Sequence, residues 1–268
     1  MDSIIIIIPT HSAYIDICEN FLALLQKNWV ECPYKVIISL TGKKIELENY
    51  EVMYNGETAT LPECIYNAAK RYSAKFYMCF LGDAFINKKI NFLEIKDLYS
   101  FMIQNHINYC SLTPVIPHKK VKNVNEKFRY INIKDRYSHN FIAFMASLKF
   151  IEDEFKDKLT DLDFEIKYLN LANNTNKSYY FTDRIIATRN IFEILPGIKK
   201  GKWDRMILKK LEKKNPEIRF SEREKMSYRK ILINRCSYYL QPIFPNILRI
   251  ILKKMIKKYL KVNFTTEI

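Results

Sequence analysis

Glycine is scarce, with 5 residues in 268, which excludes a collagen-like or Gly-rich low-complexity chain. The 6 cysteines form no C-x-x-C pair and have no histidine at zinc-finger spacing. They fit reduced, mostly buried thiols of a cytosolic protein. No apolar stretch approaches the roughly 18–20 uninterrupted residues a membrane-spanning helix requires. The isoleucine run at 4–8 has no basic segment before it and no small-residue cleavage site after it, so it reads as a buried strand rather than a leader. What the chain does have is 17 Phe, 18 Tyr and 48% hydrophobic residues, which excludes intrinsic disorder. The length suits one sizeable domain, alone or with an appendage.

Acidic residues are lacking in one region only. Residues 1–198 hold 24 Lys+Arg and 23 Asp+Glu, a net of +1, whereas residues 199–268 hold 20 and 6, a net of +14. A neutral body with a basic, apolar-rich tail suggests an anionic surface rather than nucleic acid as partner. On a helical wheel, residues 247–262 gather Ile247, Leu248, Ile251, Leu252, Met255, Ile256, Tyr259 and Val262 on one side. Arg249, Lys253, Lys254, Lys257, Lys258 and Lys261 fall on the other, the pattern of a helix lying in the plane of an anionic membrane. A nucleic-acid-binding tail or a helical pair packed on the domain are the alternatives.

The body alternates strand and helix patterns. A β-branched run at 4–9 is followed by helical spacing over 15–29 and a second run at 36–40, a β-α-β unit. Strands at 50–54 and 75–81 flank a helix at 61–73, with Pro62 tolerated in its first turn. A helix at 93–105, strands at 109–115, 141–145 and 179–186, and a helix over 162–171 complete the pattern, with a polar, basic stretch at 118–140. This order predicts an α/β fold with a mostly parallel sheet and ligands at the carboxyl ends of its strands.

The ordered set of Ser3 to Thr10 (SIIIIIPT), the strand at 36–40, Asn55-Gly56, Asn67-Ala68-Ala69 and Tyr77 to Leu81 leading into Gly82-Asp83-Ala84 resembles bacterial family 2 glycosyltransferases of surface polysaccharide biosynthesis. It covers about residues 1–190. The resemblance implies a GT-A type, Rossmann-like nucleotide-sugar-binding domain at 1–198, with 199–268 as a basic, membrane-associating extension. It implies inverting transfer of a sugar from a nucleotide diphosphate donor, a UDP-sugar, to a lipid-linked or glycan acceptor, at the cytoplasmic face of the cell membrane, in capsule or lipopolysaccharide biosynthesis. Pro9, Thr10, His11, Thr41, Asn55, Asn67, Gly82 and Asp83 are the implied donor-binding positions.

Two departures stand out. The family usually places an Asp after its second strand to read the base, where this chain has Leu40-Thr41. Its Asp-x-Asp motif, which holds a divalent cation against the leaving diphosphate, falls on Gly82-Asp83-Ala84. A Mg²⁺ or Mn²⁺ site on Asp83 and a metal-independent site with protein cations both stay open. Lys119, Lys120, Lys122, Lys127, Arg129, Lys134 and Arg136 are candidate cations, or a solvated loop; His118 and His139 flank them.

Asp161, in Thr160-Asp161-Leu162-Asp163, matches the family's general base, with Asp163 beside it. An inverting transfer needs a carboxylate opposite the leaving group to take the acceptor's proton. The competing reading is a helix cap by Thr160 or Asp161, with Asp163 favouring the helix's positive end. In residues 197–205, Trp203 could stack on a sugar and Lys202 and Arg205 bind phosphate; the alternative is a turn anchored by Trp203. A nucleotidyltransferase would require a Gly-rich basic signature after the first strand, which IPTHSAYID lacks. A non-catalytic membrane- or glycan-binding protein on a decayed transferase fold is the remaining alternative.

Overall fold

The computed structural model describes residues 2–117, 121–175, 177 and 179–240. The helix expected over 247–262, with its six cations Arg249, Lys253, Lys254, Lys257, Lys258 and Lys261, lies outside the described residues, as do His118, Lys119 and Lys120.

The isoleucine run forms the centre of the molecule. It belongs to β1 (Asp2–His11), which pairs in parallel with β2 (Lys35–Thr41) on one side and β4 (Ala74–Phe80) on the other. Side chains alternate across a strand, so an unbroken apolar run needs cover on both faces. Ile4, Ile6 and Ile8 pack with α1 (Ile15–Asn28) and α3 (Phe92–Gln104), while Ile5 and Ile7 pack with α2 (Leu61–Arg71) and α4 (Leu148–Phe155). Each such fully buried side chain contributes roughly 1.5–3 kcal/mol. Thr60 and Glu63 start α2 with a reciprocal capping box, and Pro62 sits in its first turn, as the sequence suggested.

The sheet contains β3 (Glu51–Tyr54), β6 (Tyr109–Ser111), β7 (Phe128–Asn132), β8 (Ala143–Ser147) and β9 (Tyr180–Ala187), in the order β3-β2-β1-β4-β8-β6-β9-β7. β8 and β7 run antiparallel to their neighbours; the other pairings are parallel. The expected helix-flanked, mostly parallel α/β sheet is therefore present. The chain winds outward from β1 to β3 and then returns to β4 on the other side of β1. The carboxyl ends of β1, β2 and β4 thus meet at a topological switch point, where open α/β sheets form a crevice. α5 (Asp161–Asn174) packs Phe164 and Tyr168 onto the second core.

Three expectations change. The basic stretch at 118–140 is not simply a solvated loop, because β7 forms within it and Arg129, Asp135 and His139 are buried. Arg129 pairs with Asp135, and His139 stacks on Tyr168 with ring centroids 3.6 Å apart. Fixed internal partners compensate the burial of these groups. The strand near 179–186 is not the last one. It is followed by β10 (Ile194–Pro196), antiparallel to β5 (Ala84–Ile86), and by the hairpin of β11 (Ile198–Lys199) and β12 (Lys202–Trp203). No structural break follows residue 198: Trp203 and Leu208 and Leu211 of α6 (Arg205–Lys214) join the first core, together with Phe220. α7 (Tyr228–Leu240) is the last described element.

Trp203 is the anchor of this return. It is fully buried, stacks on Phe85 at 5.1 Å and 20°, and donates its indole N–H to the Ser221 carbonyl at 3.0 Å. That position removes it as a sugar-stacking platform. Gly197 lies against both rings, where a Cβ would come 2.5 Å from Phe85 and 2.8 Å from Trp203. Gly197→Ala is expected to destabilise the protein by about 1–3 kcal/mol through overpacking. Gly82→Ala, whose Cβ would meet nothing closer than 3.5 Å, should unfold within about 1 kcal/mol of the parent. Denaturant titration of both variants checks the contrast.

Candidate active site

A cavity of about 410 Å³ opens at the switch point. Its lining includes Pro9, Thr10 and His11 from the end of β1, Thr41 from the end of β2, and Ala59, Thr60 and Leu61 at the start of α2. Gly82 and Asp83 from the β4–β5 turn, Thr160 and Asp161 at the start of α5, and Ile198, Lys200 and Gly201 from the hairpin close it. The volume suits a drug-sized or nucleotide-sized ligand. Residues separated by about 190 positions therefore share one wall.

At the β1–β2 end, the His11 ring is oriented by its own loop. Its Nδ1 accepts from the Ala13 N–H at 3.0 Å, which leaves the proton of the neutral ring on Nε2. A Cβ on Gly42 would lie 2.9 Å from that ring and 2.4 Å from Ser12 Oγ, and Gly42 has φ +88°. Only glycine suits both demands. The buried Thr41 hydroxyl donates to the Gly56 carbonyl at 3.1 Å.

Two expected donor contacts are not brought here. The Asn55 amide donates to Ser39 Oγ at 2.9 Å and to the Leu40 and Met53 carbonyls, while Asn67 donates to Asn55 Oδ1 at 3.2 Å. Neither lines the cavity. Both brace the β2–β3 ends behind it.

At the β4–β5 turn, burial pushes the Asp83 carboxyl up to about 6, against the effect of its own backbone N–H and that of Ile198, which donate to it. The Asp83 carbonyl also accepts from the Gly197 N–H at 3.2 Å. The neighbouring motif position, Ala84, is fully buried in the first core, so a side chain there faces packing rather than the cavity. Gly82 supplies no side chain. Mg²⁺ and Mn²⁺ favour several hard oxygen ligands; among the described residues no group of three His, Cys, Asp or Glu is arranged to hold a metal ion. The turn thus offers a divalent cation one carboxylate, Asp83, and no flanking second one.

The acidic segment sorts itself by geometry. Thr160 caps α5: its Oγ accepts from the Asp163 N–H at 3.1 Å, and Asp163 Oδ2 accepts from the Thr160 N–H at 3.0 Å and the Thr160 hydroxyl at 2.7 Å. Asp163 is therefore the capping partner and does not line the cavity. Asp161 does line it, with no hydrogen bond or ion pair among the described residues. One helical turn on, Glu165 accepts from the Phe141 N–H, and burial with Asp161 nearby lifts it to about 7. The sequence reading passed over Glu165, for which the i,i+4 spacing of two acids was the available signal.

The expected cations also change. Lys127 pairs with Asp97, Arg136 donates to Asn173, and Lys122 sits over the Tyr130 ring; none of these lines the cavity. Lys202 pairs with Glu224, and Arg205 lies over the Tyr228 ring. Lys200 is the cavity's one lysine or arginine among the described residues.

No family model matches the chain, and no curated protein matches it by sequence. Among solved structures it is similar to S. aureus TarS, with 15% identity over 69% of this chain and 34% of that one, at a TM-score of 0.44. A cytidylyltransferase from Leptospira borgpetersenii matches with 14% identity over 83% and 99% of the two chains, at 0.44. A CMP:2-keto-3-deoxy-manno-octonic acid synthetase complexed with CTP matches with 10% identity over 81% and 99%, also at 0.44. The chain thus spans about a third of the TarS chain it matches. The functional reading rests on the cavity's own geometry.

Asp83 makes a pH-dependent prediction. Below its unfolded value of 3.8 both states hold the proton; as pH rises through about 6 the fold must carry a buried carboxylate, and that contribution to stability is lost. Asp83→Asn is therefore expected to melt above the parent near pH 8, by at most about 3 kcal/mol, with the gap closing toward acid. Thermal melts across pH check it, and a pH-independent gap contradicts it.

Proposed function

We propose that this chain is a glycosyltransferase that moves a sugar, with inversion, from a nucleoside diphosphate donor to an acceptor hydroxyl. The supporting observation is a single switch-point cavity that joins the β1 and β2 ends, suited to a nucleoside, to an unpaired carboxylate, Asp161, at a helix start. The nucleoside lies against Pro9, Thr10, His11 and Thr41, and a hydroxyl such as Thr41 suits the edge of a uracil. Asp83 faces the ribose or diphosphate. Asp161 takes the proton of the acceptor hydroxyl as its oxygen attacks the anomeric carbon; the bond from that carbon to the phosphate oxygen breaks, and the nucleoside diphosphate leaves.

The acceptor we propose is a lipid-linked or surface glycan. The +14 segment at 199–268 would hold the cavity against an anionic leaflet and raise the effective concentration of such an acceptor. Among the described residues no helix is long and apolar enough to cross a membrane. The rival of a non-catalytic binding protein draws on the missing carboxylates at Gly82 and Ala84.

Release of UDP from a panel of UDP-sugars, with a polyprenyl-linked acceptor, tests the reaction. Asp161→Asn should lose about 10²-fold or more of the turnover while UDP affinity stays within about threefold. Unchanged turnover would remove Asp161 as the base. UDP binding without turnover favours the binding protein, and pyrophosphate release from a nucleoside triphosphate favours nucleotidyl transfer. Deleting residues after 240 should abolish flotation with anionic liposomes, and undiminished flotation would refute the membrane role of the tail.

A further inference from the structure

We infer that the charge of the donor diphosphate is met in this protein by Lys200, carried on a two-residue turn, and not by a divalent cation. This rests on the nucleotide-donor reading above and assigns the groups that handle its phosphates.

The first ground is the ligand set. A metal clamp with a carboxylate on either side of Asp83 is absent from this turn: Gly82 has no side chain, and the fold buries the second position. Ala84 begins β5, paired with Pro196, and its side chain is sealed in the first core. Asp83 itself is already engaged by two backbone N–H groups. A diphosphate entering a cavity that also contains Asp83 and Asp161 would meet repulsion unless a positive charge came from elsewhere.

The second ground is how Lys200 is presented. Ile198 pairs with Trp203 and Lys199 with Lys202, so the loop is Lys200-Gly201 alone. Both loop residues have positive φ, 51° and 75°, the conformation of a two-residue type I′ hairpin turn. Lysine is an unusual residue in the left-handed region, where asparagine or glycine is favoured. Several neighbouring cations have partners: Lys202 has Glu224, Lys210 has Glu193, and Arg223 has Asp16 at 2.7 Å. Lys200 has none among the described residues and lines the cavity.

The third ground is rigidity. The hairpin is locked to the Asp83 turn, because the Ile198 N–H donates to the Asp83 carboxylate and the Gly197 N–H to its carbonyl. On the far side Trp203 exchanges backbone hydrogen bonds with Glu224 and Met226 at 2.8 and 2.9 Å. The backbone that carries Lys200 is thus held beside the Asp83 turn, and its exposed side chain is within the cavity lining, an arrangement suited to phosphate binding.

Calorimetry on the full chain with UDP and uridine, each in EDTA and in Mn²⁺, tests this with two variants. Lys200→Asn removes the charge but keeps a residue suited to positive φ, and Lys200→Arg keeps the charge; thermal melts verify that both fold. UDP should bind the parent equally, within about threefold, in EDTA and in Mn²⁺. Lys200→Asn should weaken UDP about tenfold or more, leave uridine within about twofold, and be matched by near-parent binding in Lys200→Arg. A tenfold loss of UDP affinity in EDTA, parent-like UDP binding by Lys200→Asn, or uridine binding as tightly as UDP to the parent each overturns the inference while leaving the donor reading standing. Absence of binding by both UDP and uridine overturns the inference and that reading together.

Discussion

The stack of Trp203 on Phe85 is the contact on which the site depends. Phe85 lies in β5, directly after the Asp83 turn, and Trp203 closes the hairpin that carries Lys200. Gly197, where a Cβ would clash with both rings, lies against the stack, and its N–H reaches the Asp83 carbonyl while that of Ile198 reaches the Asp83 carboxyl. One apolar contact of about 5 Å therefore converts two distant segments into a single wall. The segment past residue 198 completes the cavity as well as leading toward the basic tail.

The cavity's electrostatics follow from that closure. Covering the Asp83 turn with the hairpin removes water from the carboxyl and raises its pKa, a cost that an ordinary structural turn would not carry. Across the cavity, Thr160 and Asp163 satisfy the helix start between themselves. That reciprocal cap leaves the adjacent Asp161 free of structural duty. Capping and catalysis are competing uses of one acidic segment; the structure gives the cap to Thr160 and Asp163 and leaves Asp161 at the cavity for its proposed role.

Away from the cavity, the polar residues of the 118–140 stretch serve the sheet. His139, held well below its usual pKa by burial and the Arg184 guanidinium, lies between aromatic rings, while Arg184 also reaches Glu154. These contacts tie α4 and α5 to β9 and so support the helix whose first residue is Asp161. The structure gives the charges here internal partners, where the sequence left a phosphate-binding loop open.

Much of the architecture was legible in one dimension because its signals are local. An unbroken isoleucine run demands cover on both faces of a strand, Pro62 suits the first turn of a helix, and the order of strands and helices restricts the sheet to a few topologies. Pro9, Thr10, His11, Thr41, Gly82, Asp83 and Asp161 came from the family resemblance, and the structure places them at strand ends and a helix start, where the crevice forms. The charge split near residue 199 was likewise plain from counting. What the sequence could not decide was which side chains were already spoken for. Asn55 and Asn67 turn behind the cavity, Trp203 enters the core, Arg129 finds Asp135, and Lys200 is the one lysine or arginine at the wall among the described residues. Partner choice for a polar side chain is settled by which groups the turns and the core bring beside it, 6 residues away for Arg129 and 207 for Arg223, and that is decided only when the core closes.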